Sequence, residues 1–196
     1  MKIFSTRLDH LFFGFPTLKC DGVQIRIKKQ TNLEVAKCSS YKFHQKTAIS
    51  FQVITDMNDV VVYVSPWFGG ASANISQFRL IMSEINVHFV TESDAFLLDG
   101  GYQGLNLLKG TALTPWKQPN RHSGQTLSEE QINFNNIQRR YRSGIERTFG
   151  EIKNTFLIFY KVFNGTPNRL AELWKFACAI YNCKKRHRMN VTPCVL

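Results

Sequence analysis

The chain has 196 residues, of which 43% are hydrophobic and 20% charged. These are the proportions of a folded protein and exclude a generally disordered chain. No apolar run approaches the roughly 18 residues of a membrane span, and Leu11 to Phe15, preceded by Asp9 and His10, is too short for a secretory signal. One domain over residues 1–196 is expected, large enough to fold without disulfides or a structural metal. Twenty-five Lys and Arg against 14 Asp and Glu leave +11. Residues 135–196 hold 12 basic and three acidic side chains, or +9, against +2 for everything before them. A field concentrated in one third of the chain fits a surface that meets phosphates. Five cysteines without a CxxC pair fit a reducing compartment. Cys178, Cys183 and His187 read as positions on a C-terminal helix and not as a zinc site.

In chain order, Val23 to Lys28 alternates apolar and polar side chains, which predicts a half-buried strand. Phe43 to Thr55 and Val60 to Ser65 predict two further strands, joined as a hairpin by Asp56-Met-Asn-Asp59. Gly69-Gly70 breaks the pattern. Ile75, Phe78, Ile81, Met82 and Ile85 then recur at helical spacing. Ala95 to Leu98 predicts a buried strand ending at Asp99-Gly-Gly, and Thr111 to Gly124, with its prolines, predicts a loop. Within that loop Trp116 reads as an anchor, with stacking on a displaced base as the alternative. Ser128 caps a long helix whose buried stripe is Ile137, Tyr141, Ile145, Phe149, Ile152 and Phe156. Thr166-Pro167 opens a last helix running to about Arg188. Strands first and helices later give an α/β or α+β class.

Three acids stand out by position. Asp21 shares the parity of Val23, Ile25 and Ile27 and so faces the core, where a carboxylate is costly unless paired or bound to a cation. Asp21-Gly22 is equally a hairpin-turn signal. Asp99 ends an apolar strand before a glycine-rich segment, with an Asp-Gly turn as the plainer reading. Glu146 sits at the edge of the long helix's buried stripe among Arg139, Arg142 and Lys153, with a simple Arg142–Glu146 pair as the alternative. Two strand-borne aspartates and a helix-borne glutamate are the hard oxygen donors that two-metal phosphodiester chemistry uses.

Three segments carry a resemblance: Cys20-Asp-Gly-Val-Gln-Ile-Arg-Ile27, Phe96-Leu-Leu-Asp-Gly-Gly-Tyr-Gln-Gly104 and Ile145-Glu-Arg-Thr-Phe-Gly-Glu-Ile-Lys153. Together they resemble the PIF/Harbinger-type DDE transposases and the nucleases derived from them, over roughly residues 15 to 190. Val64-Ser-Pro-Trp-Phe-Gly-Gly70 looks like that family's strand-and-glycine segment. The resemblance implies an RNase H-like α/β fold, a mixed central sheet flanked by helices. It also implies a catalytic, metal-binding triad of Asp21, Asp99 and Glu146 that holds Mg²⁺, with Mn²⁺ as a substitute, and cuts DNA. Lys117, Arg121, Arg139, Arg140, Arg142, Arg147 and Lys153 are the candidate DNA-phosphate contacts. A separate Myb-like DNA-binding protein is the expected partner; no membrane contact is expected, and a homo-oligomer is left open. Nuclear residence is expected, with cytoplasm in addition as the alternative, and Lys184-Lys-Arg-His-Arg188 reads equally as an import signal or as the basic end of a helix.

The chain departs from the family's pattern in three places. Gly100 follows the second aspartate, where a basic or polar residue is common. Asn74 stands where the glycine-rich segment usually ends in an aspartate, and only 20 residues precede Asp21, so no upstream helix-turn-helix region is expected. These features favour an alternative, a catalytically inactive domesticated or truncated transposase acting as a DNA- or protein-binding module. An unrelated RNA-binding protein lacks support, since neither an RNP-type motif nor a GXXG loop is present.

Overall fold

The computed structural model describes residues 17–28, 47–88, 90–107, 109–119 and 126–189. Strands β1 (Thr17–Arg26), β2 (Ala48–Thr55), β3 (Val61–Val64) and β4 (Phe68–Gly69) precede helix α1 (Asn74–His88). Then come β5 (Ala95–Leu97), β6 (Thr111–Leu113), α2 (Glu129–Thr155) and α3 (Pro167–Arg188). The sheet order is β3-β2-β1-β5-β6, with β4 pairing β2. β1, β2 and β3 are antiparallel neighbours, whereas β5 runs parallel to β1 and β6 parallel to β5. Alternation along β1 sends Val23 and Ile25 to a core with α2 and α3, centred on Phe51, Ile145, Ile152, Leu170 and Trp174. Leu18 and Cys20 point the other way, to a core with α1 containing Phe78, Ile81, Ile85, Phe96 and Tyr102. This is the expected α/β, RNase H-like arrangement of a mixed sheet between helices. Among the described residues no helix is long and apolar enough to cross a membrane.

The helix ends follow their signals. Ser128 accepts from the Gln131 N–H while the Gln131 side chain accepts from the Ser128 N–H, a reciprocal capping box. Thr166 caps α3 by accepting from the Arg169 N–H, with Pro167 in the first turn. The Asp56–Asp59 turn forms as expected. The Asp56 carboxylate accepts from the Asn58 and Val60 N–H groups, and Asp59 takes the left-handed conformation (φ 66°) that aspartate tolerates.

Three expectations are corrected. Asp21-Gly22 is no hairpin turn; β1 runs straight through it, paired with β2 in unbroken register from Lys19↔Thr55 to Arg26↔Ala48. The segment from Thr111 is not all loop, since Thr111–Leu113 adds the edge strand β6 beside β5. The stripe of α2 also shifts. Ile137 and Tyr141 are only half-buried, while Gln138 is buried and donates to the carbonyls of Leu98 and Leu113, the latter at 3.4 Å. A helix crossing the ends of two strands meets carbonyls there, and a donor satisfies them where a leucine would not. The expected start of β2 at Phe43 lies outside the described residues.

Candidate active site

Asp21 lies inside β1 on the face shared by Lys19 and Val23, and is 8% exposed. One carboxylate oxygen accepts from the Gly22 N–H at 2.7 Å; the other accepts from Arg142 Nη1 at 3.1 Å. Burial pushes its carboxyl up to about 6, and the negative charge of Asp99 adds to the rise. The Gly22 N–H and the Arg142 guanidinium oppose that rise, while Glu146 reinforces it.

Asp99 follows β5. The parallel register sets Lys19 beside Leu97, so two further residues along each chain bring Asp21 and Asp99 level, just past the last β1–β5 pair. Asp99 also caps the 3₁₀ turn Gly100–Tyr102, its Oδ1 accepting from the Gly101 N–H at 2.7 Å. The Asp-Gly turn and the strand-end position are therefore both real.

Glu146 projects from the middle of α2 and is 55% exposed at its side chain. Its Oε1 lies 3.0 Å from Arg142 Nη2, so one guanidinium holds Asp21 with one nitrogen and Glu146 with the other. Three acids from β1, the end of β5 and α2 thus share one electrostatic neighbourhood. A family model described as DDE superfamily endonuclease matches residues 20–182, which contain all three. The chain belongs to this family. No curated protein and no solved structure matches it.

In this DDE-family chain the donor set is all carboxylate oxygen, the chemistry suited to Mg²⁺ or Mn²⁺. The repulsion felt at Asp21 is a deficit of positive charge that such an ion would remove. Among the described residues, however, no group of three His, Cys, Asp or Glu stands at ligating distance. Arg142 takes the counter-ion's place between Asp21 and Glu146. The donor set fits a divalent cation in kind and charge, with the guanidinium as its competitor. Cys178 is buried in α3, its thiol pushed up to about 12 by burial.

The basic candidates divide. Lys117, Arg139 and Arg140 are exposed. Arg147 is exposed as well, 3.6 Å from Asp59. Arg142 is engaged by the acids. Lys153 turns inward, its Nζ donating to the Gln24 carbonyl at 3.2 Å, and burial first, then Arg26, weakens its hold on the proton. Arg121 lies outside the described residues.

Sequence reasoning singled out Asn74 but missed how it and the other groups beneath the acids pack. Asn74 packs so closely on β1 that any Cβ at position 22 would overlap its side chain, which explains Gly22. The Gln52 side chain accepts from Tyr102 and Cys20 and donates to Gln77 at 2.8 Å, fastening the Asp99 turn to β2. Burial keeps the Tyr102 hydroxyl protonated as that donor. On the other face Lys19 and Asp59 form a buried ion pair against Gly144 of α2. Lys19 is 2% exposed, and a lysine that must be buried needs an acid from elsewhere in the chain; that was the available signal.

Proposed function

We propose that this chain is the catalytic core of a metal-dependent DNA endonuclease or transposase of the PIF/Harbinger type. In this reading Asp21, Asp99 and Glu146 hold divalent cations, Mg²⁺ or Mn²⁺. The observation that carries it is the convergence of three carboxylates from three elements, with the charges of Asp99 and Glu146 both acting on Asp21, in a chain of the DDE endonuclease family. Bound ions would activate a water or hydroxyl and stabilise the leaving oxygen by the two-metal mechanism. The chain's own residues do the positioning. The Gly22 N–H fixes one oxygen of Asp21, the Gly101 N–H fixes one oxygen of Asp99, and the long helix α2 presents Glu146. Arg142, when released from the acids, is placed to meet a phosphate oxygen. Lys117, Arg139, Arg140 and Arg147 contact the DNA backbone, with Arg121 assigned the same role. Nuclear residence through Lys184 to Arg188 and a Myb-like DNA-binding partner belong to the same reading.

A second reading, an inactive DNA- or protein-binding module, draws on Arg142. Its guanidinium balances Asp21 and Glu146 without any metal. Cleavage of supercoiled plasmid in Mg²⁺ or Mn²⁺ separates the two. Wild type is expected to nick, and Asp99→Asn and Glu146→Gln to bind DNA without nicking. Wild type that binds at low salt and nicks with neither metal sinks the nuclease reading and favours the module.

A further inference from the structure

Trp116 follows β6 in a loop that it was expected to anchor. Other residues do the anchoring. The Asn135 side chain accepts from the Trp116 N–H at 2.7 Å and donates to the Trp116 carbonyl at 3.0 Å. Gln103 Nε2 donates to the Pro115 carbonyl at 3.1 Å. The backbone is thereby pinned on both sides while Trp116 is 55% exposed. A large aromatic side chain left more than half exposed on a backbone held by side-chain hydrogen bonds is a ready contact surface.

Its position adds to this. Gln103 immediately follows the turn that Asp99 caps, and the Leu98 N–H donates to the Leu113 carbonyl at 3.0 Å. The Trp116 loop therefore leaves the sheet at the end where Asp99 stands. Asn135 shares a face of α2 with Arg139, Arg142 and Glu146, spaced by four, three and four residues, an arc of about 60°. Eleven residues separate Asn135 from Glu146, about 16 Å along the axis, or about five nucleotides of one stacked strand. Exposed Lys117 follows directly, and Arg139 lies between Trp116's anchor and the acids. Aromatic surface beside cations is the composition that holds an unpaired base next to its phosphates.

We infer that Trp116 is a stacking platform for an unpaired base of the DNA strand, a few nucleotides from the phosphate that the three acids address. Its distance from the scissile bond rests on the nuclease reading; the stacking itself does not. A tryptophan face accepts any base, so Trp116 selects unpaired over paired DNA and not one sequence over another.

The test is equilibrium binding of the full chain in chelator, which removes cleavage. One duplex is compared with the same duplex carrying a short unpaired flap. Wild type is expected to prefer the flap. Trp116→Ala loses on the order of tenfold in affinity for the flap and little for the duplex, and Trp116→Tyr restores most of the loss. The melting temperature of Trp116→Ala should stay near wild type, because Asn135 holds backbone and not indole. Equal wild-type affinity for both DNAs overturns the proposal. So does an equal loss on both in the alanine variant, which marks a structural role. No loss on either also overturns it and points to a protein surface. Plasmid nicking is scored separately. A preserved flap preference without nicking removes the nuclease reading and leaves the stacking site standing.

Discussion

Asp21 is where the fold and the proposed chemistry oppose one another. Burial, and next the charge of Asp99, raise its carboxyl from 3.8 to about 6. The folded state therefore binds this proton more tightly than the unfolded state. Its favourable contribution is complete below about pH 4 and is lost as pH rises to about 6. Above that, the ionised carboxylate burdens the fold by about 3 kcal/mol, at 1.36 kcal/mol per unit. Asp21→Asn should accordingly be more stable than wild type at pH 7.5 without divalent metal. The expected gain is about 1–3 kcal/mol, the lower figure reflecting the lost bond from Arg142. At pH 4 the gain should vanish. Urea titrations at the two pH values read both effects, and a variant no more stable than wild type at pH 7.5 contradicts the account. Mg²⁺ should raise the melting temperature of wild type more than that of Asp21→Asn, since only wild type keeps the charge to be neutralised.

At the scale of elements, the placement of Glu146 depends on how α2 docks on β1. Ile145, Phe149 and Ile152 bury one face, but the close approach is at Gly144, where a Cβ would overlap Asp59 Oδ1 and come within 2.8 Å of Lys19 Nζ. That ion pair has little freedom to yield. Lys19 is buried, and Asp59 is also approached by Arg147 and Lys185, each at 3.6 Å. Gly144→Ala would gain about 1 kcal/mol in an ordinary helix. Here it is expected to lose about 1–3 kcal/mol by overpacking, read as a lower urea midpoint. An alanine variant as stable as wild type would show that the pair moves aside freely. How far this element could be read in advance differs along its length. Its start at Ser128 and its lower stripe follow local rules of capping and period, which a sequence displays directly. The upper stripe did not, because Gln138 is buried to satisfy strand-end carbonyls 25 and 40 residues away. β6 escaped notice because three edge residues carry too little alternation to show. The positions of the three acids, on the core-facing side of a strand, at a strand end and on a helix, were legible from parity and period; their proposed role rests on the family. The double grip of Arg142 was not legible, since it closes a separation of 121 residues that no spacing rule reaches.

For the whole molecule the question is which of the positive charges are available to DNA. The 12 basic side chains of residues 135–196 overstate the supply. Arg142 is held by Asp21 and Glu146, Lys185 faces Asp59, Arg169 pairs with Glu172 at 3.2 Å, and Lys153 donates to a backbone carbonyl. Charges bound to acids release few counterions when DNA arrives. The salt dependence of binding should thus reflect fewer phosphate contacts than composition suggests. Arg139 shares the face of α2 that bears Glu146, whereas Arg169 stands in the first turn of α3, paired within its own helix. Arg139→Gln is expected to reduce the slope of log affinity against log salt by about one, with uniform weakening across DNA sequences. Arg169→Gln should leave the slope unchanged. Titrations at several salt concentrations, with duplex DNA and no divalent metal, measure both slopes. Equal slopes for wild type and Arg139→Gln would move the DNA path off the Glu146 face of α2. The acids would then lie apart from the phosphates they are proposed to cut, and the assignment of the active site would fall with the path.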